Sequence, residues 1–221
     1  MEKAMRRWAI VVGIFLFVCM GGCAGKSHPT VTLPVSLHSK ILLVLPFRTC
    51  PSKRGIVTCP VCGRNNPAGP IAPEAAGALT DMLVAGLEEM GYRVVPVSEV
   101  AGELSRMQKK KAEDVAESVS YLSRKFGVKL VVLGVVFEYR SRQGASLGVE
   151  QPAAVSFGLH LMRGSDGRIL WSDRYYEEQK ALSEDISNIG KFFKRGGKWV
   201  TARRLAEDGM KRLLSYFPEA K

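Results

Sequence analysis

Cys59-Pro60-Val61-Cys62-Gly63 is the segment of this 221-residue chain whose residue types and spacing most directly imply chemistry. Two thiolates three residues apart can grip one tetrahedral ion, and zinc suits such sulfurs. Gly63 frees the backbone to turn beneath them. A four-ligand site needs two more donors. No cysteine follows Cys62, so Cys50 is the expected third ligand, with His28, His38, water or a partner chain as the fourth. A disulfide is the competing expectation. An oxidising compartment favours one, and joining Cys50 to Cys59 would stabilise the fold by roughly 2.5–3 kcal/mol through loop entropy. Three cysteines then leave one unpaired. Thiol redox is a third use of a Cys-x-x-Cys pair, but Cys59 does not open a helix after a strand. Covalent haem is excluded, because Gly63 rather than histidine follows Cys62.

A second candidate is Lys191-Phe192-Phe193-Lys194-Arg195-Gly196-Gly197-Lys198-Trp199, which mixes four cations with three aromatics. Lys191, Lys194, Arg195 and Lys198 could hold an anionic surface while the rings rest on lipid or stack on glycan. The plainer expectation puts Phe192 and Trp199 in the core and the cations in solvent. His160 falls on the polar side of an alternating segment, which implies a surface or hydrogen-bonding role rather than catalysis. Asp166 and Asp173 read as turn and strand-edge residues. No serine–histidine–acid set, paired carboxylates or HExxH motif has a recognisable spacing. Gly25-Lys26-Ser27 resembles the end of a phosphate-binding loop, but Met20 stands where the motif needs its first glycine.

The first 23 residues specify an address. Lys3, Arg6 and Arg7 precede an apolar run from Ala9 to Met20, followed by Gly21-Gly22-Cys23. A basic head, a short hydrophobic stretch and small residues before a cut site describe a secretory signal peptide. The run is 12 residues long, against the roughly 20 that a membrane-spanning helix needs. With its cysteine, the segment resembles a bacterial lipoprotein signal. That resemblance implies cleavage before Cys23, diacylglycerol on its thiol and a further acyl chain on its new amino group. It also implies the outer membrane, facing the periplasm, because Ala24 rather than aspartate follows the anchor. The expected organisation is a signal peptide over 1–22, a lipidated tether over 23–40 and a periplasmic domain over 41–217, with a cysteine-bearing loop at 49–73. The Ser-, Thr- and Pro-containing tether spans roughly 20–25 Å as a coil.

Net charge is +11, and residues 1–22 account for +2 of it through Lys3, Arg6 and Arg7 against Glu2. The remaining +9 suits anionic lipid, peptidoglycan carboxylates or an acidic protein. An exported lipoprotein rarely meets nucleic acid, so none is expected as partner. An apolar fraction of 46% supplies a sizeable core.

The elements that must position these residues follow from periodicity. Ile41–Leu45 is a continuous apolar run that suits a buried strand. Thr49 to Pro73, rich in Cys, Pro and Gly, reads as irregular loop. Pro73-Glu74 opens a helix carrying Leu79, Met82, Leu83, Leu87 and Met90, ended by Gly91. Tyr92–Val97 reads as a strand, and Ser98 as the cap of a helix from Glu99. Lys109-Lys110-Lys111 reads as a solvated turn. Val115, Val119, Leu122 and Phe126 form a helical stripe before Gly127. Val128–Phe137 is the expected central strand and Arg140–Gln151 a polar loop. Val155–Leu161 alternates as a half-buried strand. After the Ser165-Asp166-Gly167 turn, Arg168–Glu177 returns antiparallel. Trp199 to Phe217 carries a closing helix. The expected fold is α/β (α+β), a mixed parallel and antiparallel sheet of about five strands covered by helices.

Several of these segments carry a resemblance. They are Ile41-Leu42-Leu43-Val44-Leu45-Pro46-Phe47, the helical Leu79–Leu83 region, Tyr92-Arg93-Val94-Val95, Gly127 to Gly134, and the Leu161–Trp171 hairpin with Asp166-Gly167 and Ile169-Leu170-Trp171. Over about Lys40 to Phe217 the chain resembles a group of periplasmic domains. The group comprises the TolB amino-terminal domain, the lipoprotein activator of penicillin-binding proteins and the curli-secretion lipoprotein. The resemblance implies a non-enzymatic adaptor or assembly factor working with an envelope protein, or with peptidoglycan. A zinc-binding or thiol-redox accessory protein and a subunit of an export assembly are the alternatives. Arg140–Gln151 is too short and polar for the membrane-crossing hairpins of a pore, and the cysteine loop is foreign to the group.

Overall fold

The computed structural model describes residues 39–50, 52, 55–108, 114–143, 151–179 and 200–218. In chain order the elements are β1 (Ile41–Thr49), β2 (Gly55–Thr58), β3 (Asn65–Ala68), α1 (Ala75–Glu89), β4 (Arg93–Val94), α2 (Val97–Gln108), α3 (Val115–Phe126), β5 (Leu130–Arg140), β6 (Ala154–Arg163), β7 (Ile169–Glu178) and α4 (Ala202–Leu214). The main sheet has the order β4–β1–β5–β6–β7. β1 is parallel to β4 and β5, and β5–β6 and β6–β7 are antiparallel. The expected mixed five-stranded architecture is the one observed.

The alternation of side chains across the strands divides the interior. On one face Leu42, Val44, Leu130, Val132, Leu159 and Leu161 pack with α1 and α4. On the other, Leu43, Leu45, Val131 and Leu133 pack with Val100 of α2 and with Val119 and Leu122 of α3. Beyond those helices the second face continues into a small third cluster, where Val135 and Phe137 meet Cys59 and Ala68. All of β5 is buried, as expected of a central strand.

Local signals set the ends of the helices. Asp114 accepts a hydrogen bond from the Ala116 N–H at 2.8 Å, capping α3, and Gly127 closes that helix in the left-handed conformation at φ 65°. Thr201 caps α4 in the same manner. The helix predicted from Glu99 starts at Val97, and the strand before it shrinks to Arg93–Val94. Val128–Phe137 is displaced: the strand runs from Leu130 to Arg140, so Arg140 is buried strand rather than loop. Its charge is met by Glu138 at 3.1 Å and Glu178 at 2.8 Å. No helix among the described residues is long and apolar enough to cross a membrane.

Two departures concern the site. Within the segment predicted as irregular loop, β2 and β3 pair as a two-stranded hairpin. β6, predicted to be half-buried, is buried on both faces from Ala154 to Met162. One face lies under α1 and α4, and the other under helices and the cysteine hairpin.

Candidate metal centre

The hairpin is a short ribbon pinned to the sheet at both roots. Cys50 N–H donates to the Val136 carbonyl at 2.9 Å, and Gly69 N–H to the Phe137 carbonyl at 3.1 Å. Ile71 then forms a parallel bridge with Tyr139. The segment after β3 thus takes over the lane beside β5 that β1 vacates at Thr49, and the cysteines between the roots lie over the C-terminal half of β5. Thr58 Oγ1 bonds Asn65 Oδ1 at 3.0 Å within the hairpin, and the Arg174 guanidinium of β7 donates to the Asn65 carbonyl.

The turn at the tip is built by Cys59 and Gly63. Cys59 N–H donates to the Arg64 carbonyl at 2.8 Å and Gly63 N–H to the Cys59 carbonyl at 3.0 Å. Gly63 takes φ 72°, which a side chain disfavours. The backbone N–H groups of Val61 and Cys62 turn toward the Cys59 sulfur. Burial outweighs them and raises the Cys59 thiol above its ordinary pKa of 9.0. That is the opposite of the depressed pKa a redox nucleophile needs.

The third participant comes from the sheet. His160 pairs with Leu133 across β5–β6 and so faces the hairpin. It is only 2% exposed, which corrects the expected surface position. Its Nε2 lies 3.4 Å from Cys59 Sγ. Cys59, Cys62 and His160 place their ligand atoms within 4.8 Å of one another. Burial, and secondarily the charge of Arg64, push the His160 pKa down to about 4, so the imidazole is neutral near pH 7. Its Nδ1 is buried without a hydrogen-bond partner among the described residues. A space of ≈ 10 Å³ opens between the cysteine turn, His160, Gly158 and the Ser172–Arg174 stretch of β7. Two thiols and a neutral imidazole converging at its rim form a donor set for a borderline-soft cation.

The structure brings Cys59 and Cys62 together and leaves Cys50 outside that group. Cys50 is half-buried against the third cluster, and all three are free thiols. Cys23, His28, His38, Lys191, Lys194, Arg195, Lys198 and Trp199 lie outside the described residues. Sequence reasoning missed His160. The available signal was the small and polar set Ser156, Gly158 and His160 on one face of a strand, in a chain with an incomplete cysteine pair. A second depression, of ≈ 570 Å³, lies between α1 and α4, bordered by Met82, Gly86, Met90, Met210 and Leu214.

No family model matches this chain, and no curated protein matches it. Solved structures similar to it include a PelC dodecamer from Paraburkholderia phytofirmans, at 12% identity and a TM-score of 0.48, covering 86% of this chain and 96% of that one. A lipoprotein from Neisseria meningitidis is similar at 18% identity and a TM-score of 0.45, over 71% of this chain and 94% of the other. The LpoB C-terminal domain from Salmonella enterica is similar at 16% identity and a TM-score of 0.37, over 70% of this chain and 88% of its own. Lipoproteins stand among the solved structures similar to this chain.

Proposed function

We propose that this protein is a lipid-anchored lipoprotein of the outer membrane, facing the periplasm, and that it acts as a non-enzymatic adaptor or assembly factor in the cell envelope. The observation that carries this reading is Gly21-Gly22-Cys23 directly after a basic head and a 12-residue apolar run. Two or more acyl chains on one residue anchor a protein durably, where a single chain does so only marginally. The first strand of the described residues begins at Ile41. The 18 residues from Cys23 to Lys40 therefore set its reach, roughly 20–25 Å as a coil and at most ~60 Å when extended. Anchoring confines the domain to a thin shell and raises its effective concentration toward any envelope partner. Its excess positive charge favours anionic lipid and peptidoglycan carboxylates over the same distance range, with screening by salt.

The test is expression of the full chain in a two-membrane bacterium. Labelled palmitate should enter the wild type, the mature amino terminus should be Cys23, and the protein should fractionate with outer membranes. Cys23→Ser should be unlabelled and lose the outer-membrane fraction. Wild-type protein that is unacylated and cytosolic would overturn the anchor. In-cell cross-linking then tests the adaptor role, which predicts a stoichiometric envelope protein in the cross-linked product and fails if only lipid or the chain itself is captured.

A further inference from the structure

We propose that Cys59, Cys62 and His160 bind a zinc ion that fastens the β2–β3 hairpin to the central sheet. The ligand set joins two turn residues to a strand residue 101 positions after the first cysteine, so the site exists only in the folded chain. It is independent of the anchor and of the adaptor reading.

Distance comes first. Zinc binds sulfur at about 2.3 Å and imidazole nitrogen at about 2.0–2.1 Å, so tetrahedral angles require a sulfur–nitrogen separation of roughly 3.5 Å. Cys59 Sγ and His160 Nε2 are 3.4 Å apart. Cys62 brings the second sulfur within 4.8 Å of both. The Cys59–His160 separation already matches the tetrahedral value, which leaves the Cys62 sulfur to close in.

The turn offers hydrogen bonds to a metal-bound sulfur. Backbone N–H groups of Val61 and Cys62 directed at a sulfur favour its anionic form. Binding takes one Zn²⁺ and two thiols, and releases two protons to solvent. Two thiolates and a divalent cation leave the buried centre neutral, which burial otherwise penalises. The three donors border a space of ≈ 10 Å³, about the room of one water-sized particle. Among the described residues His160 Nδ1 has no hydrogen-bond partner. A Cβ at Gly158 would stand 3.7 Å from Nε2, an ordinary contact, so the glycine leaves the ring free to serve as a ligand.

Between its hydrogen-bonded roots the hairpin has little apolar cohesion among the described residues. β2 is largely exposed, with Ile56 at 74%. Among the described residues the hairpin's buried cluster is Cys59, Ala68, Val135 and Phe137, with Cys50, Val57, Val61 and Cys62 half-buried around it. A metal bond between turn and sheet supplies the cohesion that so small an apolar patch does not.

The test uses reduced, detergent-solubilised full-length protein and Co²⁺ as a spectroscopic probe. The wild type should take up about one ion per chain, with thiolate-to-cobalt charge transfer and tetrahedral visible bands, and Zn²⁺ should displace it. His160→Gln and Cys62→Ser should each weaken Zn²⁺ binding by more than the ~10–100-fold that losing an outer-shell partner costs. Cys50→Ser, His28→Ala and His38→Ala should leave it unchanged. Far-UV circular dichroism in chelator checks folding. Should His160→Gln misfold, Cys62→Ser at its half-buried position decides. Failure of the reduced wild type to bind overturns the site, as does undiminished binding by a folded His160→Gln or Cys62→Ser. Loss in Cys50→Ser with retention in His160→Gln overturns it in favour of the ligand set expected from sequence. Zinc binding by a protein that is never acylated would leave this centre standing while the anchor fell.

Discussion

The tip of the Phe47 ring fills the space above Gly134. A Cβ on that glycine would lie 2.3 Å from the ring Cζ. Phe47 is itself buried, and its ring meets Phe157 edge-on at 6.2 Å. It therefore has no open direction in which to yield. Gly134→Ala should destabilise the domain by about 1–3 kcal/mol, the usual cost of overpacking a filled core. Combining it with Phe47→Leu should cost less than the sum of the two single changes, because the residues share one space. Urea unfolding of the four proteins measures both terms.

The same aromatic residue ties β1 to α1. The register of β1 against β5 shifts between Leu45 and Arg48, around Pro46, which has no N–H to offer. Phe47 N–H leaves the ladder and donates to Thr80 Oγ1 at 3.0 Å, while that hydroxyl donates to the Ala76 carbonyl at 2.7 Å. Thr80→Val keeps the shape and orphans the amide, which should cost about 1–3 kcal/mol. Thr80→Ser should retain most of the stability. Hydrogen exchange at the Phe47 amide should accelerate in the valine variant and stay slow in the serine variant.

At the far end of β5 a buried ion cluster raises the stakes of a single cation. Arg140 is 8% exposed and Glu138 is 5% exposed. The guanidinium reaches Glu138, Glu178 and the Pro152 carbonyl, joining three consecutive stretches of sheet. Tyr176 donates to Glu178, and burial with that carboxylate pushes its phenol up to about 12. Arg140→Met leaves two carboxylates facing one another and should cost about 3–5 kcal/mol. Adding Glu138→Gln and Glu178→Gln should restore a large part of it, since the penalty lies in uncompensated charge. Thermal unfolding of the single and triple variants separates these outcomes.

Sequence patterns disclosed elements whose own residues decide them. Ile41–Leu45 suits a buried strand, and β1 is one. Val115, Val119, Leu122 and Phe126 with Asp114 and Gly127 define a helix, ends included. The β2–β3 hairpin was hidden because Asn65-Asn66-Pro67-Ala68 has no strand preference. Its pairing with Gly55–Thr58 and its anchorage to Phe137 and Tyr139 impose the conformation. His160 was hidden for a related reason. Its alternation with Leu159 and Leu161 correctly separates two faces, but nothing local says that a hairpin from 101 residues earlier covers the polar one. The half of the site made by Cys59, Cys62 and Gly63 is local and was readable. The other half is tertiary.

Acid sensitivity should arise in part from Glu103, which joins α2 to α3. Its carboxylate accepts from Tyr121 Oη at 2.8 Å and lies 3.1 Å from Lys125 Nζ and 2.8 Å from Arg106 Nη1. The Tyr121 hydrogen bond, then Lys125 and Arg106, lower its pKa from 4.5 to about 2. The unfolded chain therefore takes up this proton near pH 4.5 and the folded chain only near pH 2. Between those values the unfolded state holds more protons, so stability rises with pH. The contribution is complete above pH 4.5 and disappears as the pH falls toward 2. Glu103→Gln removes the titration. Its unfolding free energy should fall less steeply than that of the wild type across this window, though it starts lower at neutral pH. Tyr121→Phe removes the largest cause of the shift and should move the wild-type loss to higher pH. Parallel curves for wild type and Glu103→Gln would show that these contacts do not hold the carboxylate charged.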